Sequence, residues 1–213
     1  MGGDEGKRSY YLYVPESAAG AEAVPLIVLL HGSGRDGSAL VDKWKKLAEQ
    51  EKIILVGPNS FDSRGWASPL DGPRFLLEVA REIRKTYAVD PRRIYLFGHS
   101  AGARFALGMA CLESRYFAAV SVHAGAFGSG EEASIMQAAK RKVPVQLIVG
   151  TRDPFFPLRM VTATGAAFSR EGFPVEFEKM DGHDHDYYSV ARSVNEKAWG
   201  FLKDKTLASE PLE

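Results

Sequence analysis

A chain of 213 residues that is 45% hydrophobic and 25% charged has ordinary globular composition and enough length for a large core, so residues 1–213 are expected to form one domain. Its 27 lysines and arginines balance 27 aspartates and glutamates, which excludes recruitment of nucleic acid or an anionic membrane surface by bulk charge. A single cysteine, Cys111, excludes an intramolecular disulfide and reads as a small buried hydrophobe.

Taken in chain order, residues 9–14 (Ser-Tyr-Tyr-Leu-Tyr-Val) read as an edge strand, and residues 25–30 as a central strand, apolar without alternation because both faces are covered. A helical pattern over 39–51 and a strand over 53–57 follow, then a polar loop holding Trp66 and a helix over 72–87. Strand 93–97 leads through Gly98-His99-Ser100-Ala101-Gly102 into a helix over 101–113. Strands over 117–123, 145–149 and 175–180 then alternate with helices over 131–141, 158–171 and 188–203. The alternation predicts an α/β fold: a mostly parallel sheet in a three-layer sandwich, helices on both faces, with little chain left for a lid. No stretch approaches the roughly 18 to 20 apolar residues of a membrane span, and no basic-then-apolar leader opens the chain. The expectation is a soluble protein, cytoplasmic or exported without its signal peptide in this chain, and a monomer or homodimer.

Ligands of open parallel sheets bind at the C-terminal ends of strands, so the chemistry is sought there. A Gly-x-Ser-x-Gly turn between strand and helix exposes Ser100 as a nucleophile and places the Ala101 N–H at a helix N-terminus, where it favours a developing negative charge. Serine needs a base, itself oriented by a third group. Asp153 follows the strand ending at Val149 and suits the orienting acid, while also starting a turn before Pro154. After the last strand, Asp181-Gly182-His183-Asp184-His185-Asp186 offers two bases, of which His185 is preferred and His183 is the alternative. A metal site built on these two histidines and their aspartates lacks further ligands, and no metal or cofactor is expected. His31-Gly32-Ser33-Gly34 ends another strand, and the Ser33 amide, or alternatively that of Gly32, is expected to join Ala101 in an oxyanion hole. Trp66 suits either a pocket wall or a staple of its loop. Phe127 and the pair Phe155 and Phe156 are expected to add apolar walls, His123 to be structural or pocket-lining, and His99 to lie beneath the Ser100 turn.

The stretches Leu29 to Gly34, Val89 to Gly102 and Phe117 to Ser121 resemble the α/β-hydrolase superfamily, in particular its compact esterase branch with polyhydroxybutyrate depolymerase-like and feruloyl esterase-like members. Asp184 to Tyr188 is also similar to the histidine segment of S-formylglutathione hydrolase-type esterases. The resemblance implies the α/β-hydrolase fold and a serine carboxylic-ester hydrolase, with Ser100 as nucleophile, Asp153 as acid, a C-terminal histidine as base and His31 to Ser33 shaping the oxyanion hole. The partner implied is a small or oligomeric ester; polyester and feruloyl or acetyl-carbohydrate esters are alternatives. Departure from the depolymerase pattern Gly-His-x-Trp, with His185 in the tryptophan's place, bears on substrate class. A hydrolase shell used only for binding is the reading from another class.

Overall fold

A computed structural model describes residues 8–18, 20, 22–128 and 132–211. Among these residues, seven strands form one sheet in the order β1-β3-β2-β4-β5-β6-β7. They are β1 Tyr10–Tyr13, β2 Val24–Leu30, β3 Ile54–Pro58, β4 Val89–His99, β5 Ala119–His123, β6 Val145–Gly150 and β7 Val175–Met180. Only β1 runs antiparallel, against β3 at the sheet edge, as its half-exposed tyrosines and leucine require.

Among the described residues there are six α-helices, five between strands and the last after β7: α1 Ser38–Glu51, α2 Pro73–Thr86, α3 Ala101–Leu112, α4 Glu132–Ala138, α5 Leu158–Arg170 and α6 Tyr187–Leu202. Every residue of β2 is buried, and its side chains alternate between two cores. Leu26, Val28 and Leu30 meet α2, α3 and α5 on one face, with Leu76, Ala106 and Phe168 among the buried residues. Ile27 and Leu29 meet α1 and α6 on the other, where Trp44 lies edge-on to Phe97 at 5.0 Å. Each fully buried aliphatic or aromatic side chain contributes about 1.5–3 kcal/mol, so the covered middle strands, not the edges, anchor the fold.

Most boundaries lie within two residues of the expected ones, and three of the differences have identifiable reasons. Strand β4 begins at Val89, four residues early, because Val24 pairs with Val89 and the register then shifts before Leu26 pairs with Ile94; Pro91, which has no N–H to donate, sits in that irregular stretch. Strand β5 starts at Ala119 because Phe117 still closes the turn after α3 through its N–H to Glu113 O. Helix α4 stops at Ala138, as the N–H groups of Lys140 and Arg141 turn to Ser114 Oγ at 2.9 and 3.3 Å. Its expected first residue, Glu131, lies outside the described residues. Among the described residues, the segments from β5 to β6 and from β6 to β7 hold one helix each, and both helices belong to the sandwich. No helix of the described residues is long and apolar enough to cross a membrane.

Candidate active site

Strand β4 runs directly into α3, and the residue at the junction, Ser100, adopts φ 57° and ψ −119°. Positive φ is costly for a residue with a Cβ, and the fold holds it there by the Ser100 N–H bond to His123 O at 3.1 Å. The turn also needs Gly102: a Cβ at this position would stand 2.0 Å from Leu30 O and 2.6 Å from His31 O. Helix α3 can therefore start hard against the end of β2 only if residue 102 is glycine. The result is a hydroxyl presented at the C-terminal edge of the sheet, beside the orphan N–H groups of the α3 N-terminus.

Ser100 Oγ–H donates to His185 Nε2 at 3.0 Å, and His185 Nδ1–H donates to Asp153 Oδ2 at 2.8 Å. The carboxylate, fully buried, accepts at its other oxygen from the Phe155 and Phe156 N–H groups at 2.9 and 2.8 Å. Asp153 is thus both the turn starter and the histidine's partner, as one side chain with two oxygens allows. Asp186 caps α6 by accepting from Tyr188 N–H at 3.0 Å, and Asp184 accepts from Asp186 N–H at 2.8 Å, so short Asx turns set the loop that carries His185.

His183 points elsewhere. Its Nε2 lies 3.0 Å from His123 Nε2, and His123 Nδ1 lies 3.0 Å from His99 Nδ1. The structure brings His185, not His183, to Ser100. Burial pushes the His99 pKa down to about 3, helped by nearby His185, and pushes His123 well below the usual histidine value, so both imidazoles are neutral. His99 lies beside the His185 ring at 5.0 Å, stacks on Tyr187 at 5.2 Å and also reaches the cleft wall. His123 is fully buried and does not line the cleft. Among the described residues, no group of three or more His, Cys, Asp or Glu is arranged to hold a metal ion.

A cleft of about 880 Å³ opens over Ser100, lined among others by Gly32, Ser33, Trp66, Ala101, Phe155 and His185. Gly32 sits against the serine: a Cβ there would be 3.3 Å from that of Ser100. Trp66 serves in both ways open to it. Its Nε1–H donates to His31 O at 2.8 Å, stapling the loop, while its ring stacks on Phe105 at 5.2 Å and forms cleft wall. His31 itself is buried; it accepts at Nε2 from Ser60 N–H at 3.2 Å and donates from Nδ1 to Gly32 O at 2.9 Å, the neutral tautomer that its burial-lowered pKa favours. Phe155 is 70% exposed at the rim, 4.9 Å from the His185 ring.

Phe127 is a correction. It is buried in the core and stacks on Phe168 at 5.6 Å rather than lining the cleft, because its N–H is tied to Thr164 Oγ1 on α5. Phe156 lines the cleft as expected, whereas Arg35, Arg104 and Tyr188 had not been expected there, with the Arg35 guanidinium 4.8 Å from the Tyr188 ring centre. Asp71 is another surprise. Fully buried, it accepts from Phe61 N–H and Ala67 N–H at 2.8 Å each and from Arg8 at 2.5 Å, and so folds the loop that carries Trp66. An acid in a polar loop gives no sequence signal of such a role, since its partner Arg8 lies 63 positions away. Cys111 is buried on α3, its thiol pushed up to about 12 by burial.

Residues 73–203 match the Dienelactone hydrolase family. The chain is 26% identical over 156 residues to a bifunctional acetylxylan esterase/xylanase of Neocallimastix patriciarum, covering 68% of this chain and 21% of that protein. It is 29% identical over 138 residues to poly(3-hydroxyalkanoate) depolymerase C of Paucimonas lemoignei, covering 59% of this chain and 33% of that one. The chain thus spans a third or less of the length of these curated relatives. In fold it is similar to the S-formylglutathione hydrolase of Staphylococcus aureus, with TM-score 0.76, 16% identity and coverage of 92% of each chain.

Proposed function

As the chain belongs to the dienelactone hydrolase family, whose sandwich of helices about a mostly parallel sheet is the α/β-hydrolase fold, we propose that it is a serine hydrolase that cleaves carboxylic esters through an acyl-enzyme on Ser100. The observation that carries this reading is the continuous chain Ser100 Oγ, His185 Nε2, His185 Nδ1, Asp153 Oδ2, with links of 3.0 and 2.8 Å. His185 takes the proton of Ser100 as Oγ attacks the ester carbonyl carbon. Asp153 holds the imidazole in the Nδ1–H tautomer and stabilises the imidazolium that forms. The oxyanion is received by the Ala101 N–H and by a second amide from the His31 loop, that of Ser33, with Gly32's the alternative. The alcohol leaves with the proton from His185 Nε2, and water then repeats the cycle on the acyl-enzyme, releasing the acid and regenerating Ser100.

Small or soluble esters suit a cleft of this size with no covering domain among the described residues. A second reading, an ester on a carbohydrate or a polyester chain end, is favoured by the exposed Phe155 and by Trp66, which offer flat apolar faces at the rim, and by the acetylxylan esterase and depolymerase relatives.

Hydrolysis of p-nitrophenyl acetate and butyrate tests the reaction. Ser100→Ala is expected to lower kcat at least about 10⁴-fold, as loss of a nucleophile does elsewhere; equal rates in variant and wild type would sink the proposal. A panel of short acyl esters, hydroxycinnamoyl esters, acetylated sugars and hydroxybutyrate oligomers separates the two substrate readings.

A further inference from the structure

The candidate nucleophile and its base come from strands that are not neighbours. Ser100 directly follows β4, while His185 follows β7, and β5 and β6 lie between them. At about 4.8 Å per strand, the loop after β7 must be carried back over three strand spacings, roughly 14 Å, to bring His185 to Ser100. Strand β5, in the middle of that gap, supplies none of the three reacting side chains.

It supplies His123 instead. This side chain is fully buried, and both its ring nitrogens are engaged, Nδ1 with His99 Nδ1 and Nε2 with His183 Nε2, each at 3.0 Å. His99 directly precedes Ser100, and His183 stands two residues before His185. The His123 carbonyl also accepts the Ser100 N–H at 3.1 Å. A ring therefore closes: from Ser100 back to His99, across to His123, on to His183, forward to His185 and again to Ser100. Neutral imidazole carries one proton, so His123 must donate at one nitrogen and accept at the other, and neither link survives replacement by an apolar ring.

Resting on the reading of Ser100 and His185 as nucleophile and base, we propose that His123 and His183 are positioning residues: the His99–His123–His183 hydrogen-bonded chain sets the distance between Ser100 Oγ and His185 Nε2. The chain spans the same gap as the reacting groups and ties both of their carriers to the sheet. Without the His183 link, the loop from Asp181 to Asp186 remains attached through Arg152 N–H to His183 O at 2.9 Å and Gly182 N–H to Thr151 Oγ1 at 2.9 Å. Both of these hydrogen bonds hold the loop to the end of β6; toward β4 there remain, besides the Ser100–His185 bond itself, the non-directional ring contacts of His99 with His185 at 5.0 Å and with Tyr187 at 5.2 Å.

The test compares steady-state hydrolysis of p-nitrophenyl acetate by the full chain and its variants, with thermal melting of each. His183→Leu removes the outer link at the less deeply buried end and is expected to lower kcat ten- to hundredfold, with KM within about twofold of wild type. His183→Asn, whose amide N–H can donate to His123 Nε2, is expected to recover most of that loss. His123→Phe should lose at least as much as His183→Leu; should it fail to fold, the two His183 variants decide. Wild-type kcat in His183→Leu, a lowered melting temperature with unchanged kcat, or equal losses in His183→Leu and His183→Asn would each overturn the proposal. His185→Ala keeps the two levels apart. Full activity in that variant overturns the reading of the base, and this inference with it; an inactive His185→Ala beside a fully active His183→Leu overturns the positioning role alone.

Discussion

The Trp66 indole uses its edge and its face separately. The N–H fixes the His31 carbonyl, and the ring, stacked on Phe105, is wall beside Ser100. Trp66→Phe keeps an aromatic face and deletes the one hydrogen bond, so it isolates the contribution of the staple to the Gly32-Ser33 backbone. Complete loss of an oxyanion-hole donor costs about 3–4 kcal/mol, and a donor that is only loosened costs less. A fall in kcat of about tenfold with a small change in KM is expected for p-nitrophenyl butyrate, and an unchanged kcat would show that the loop holds its shape without Trp66. From sequence the two uses of this tryptophan look like alternatives, because which part of a side chain meets which neighbour is a three-dimensional property. Phe127 illustrates the same limit: expected as an apolar wall of the site, the side chain is carried inward onto Phe168.

At the scale of elements, the site depends on two loops approaching more closely than side chains permit. A Cβ on Gly150, the last residue of β6, would lie 2.2 Å from His183 O and 2.7 Å from Asp184 O. Gly150→Ala is expected to push the histidine loop off the β6 end, lowering activity at least tenfold and destabilising the protein by about 1–3 kcal/mol. Urea unfolding together with hydrolysis of p-nitrophenyl acetate measures both, and wild-type values of each would show that the loop has room to give. The order of strands and helices was legible because the covered strands are mostly apolar runs bounded by turn residues, with Ser121 in β5 and Gln146 in β6 as isolated polar positions that bond to each other. Ser100 and Asp153 were legible as positions because a parallel sheet gathers its chemistry at one edge. The choice between His183 and His185 was not: they are two apart on one loop, and what separates them is the buried ring of His123, itself 60 residues before His183. The Arg8–Asp71 pair behind Trp66 was equally out of reach, being a contact between distant segments.

For the molecule as a whole, the buried histidines make stability depend on pH. Burial lowers the pKa of His31, His99 and His123 beneath the ordinary value of 6.5, to about 3 for His99. The native state keeps these rings neutral, whereas the unfolded chain takes up protons below about pH 6.5. Their contribution is therefore complete above pH 6.5 and is lost as pH falls from there toward the folded values, at up to about 1.4 kcal/mol per pH unit for each ring. Melting temperatures should be flat from about pH 7 to 8 and drop steadily between about pH 6.5 and 5, a window above most carboxylate titration. A constant melting temperature across that window would mean that the rings are charged in the native state.

The placement of the three tryptophans has an optical consequence. Trp44 is sealed between α1 and β4, and Trp199 is buried on α6 with its Nε1–H bonded to Glu51, both on the sheet face of α1 and α6. Trp66 alone of the three stands at the cleft, its indole in contact with whatever enters beside Ser100. The protein thus carries an intrinsic fluorophore at the mouth of its site and two constant ones in its interior, so that a change in emission on adding a non-hydrolysable ester analogue reports occupancy of the cleft, with no label attached.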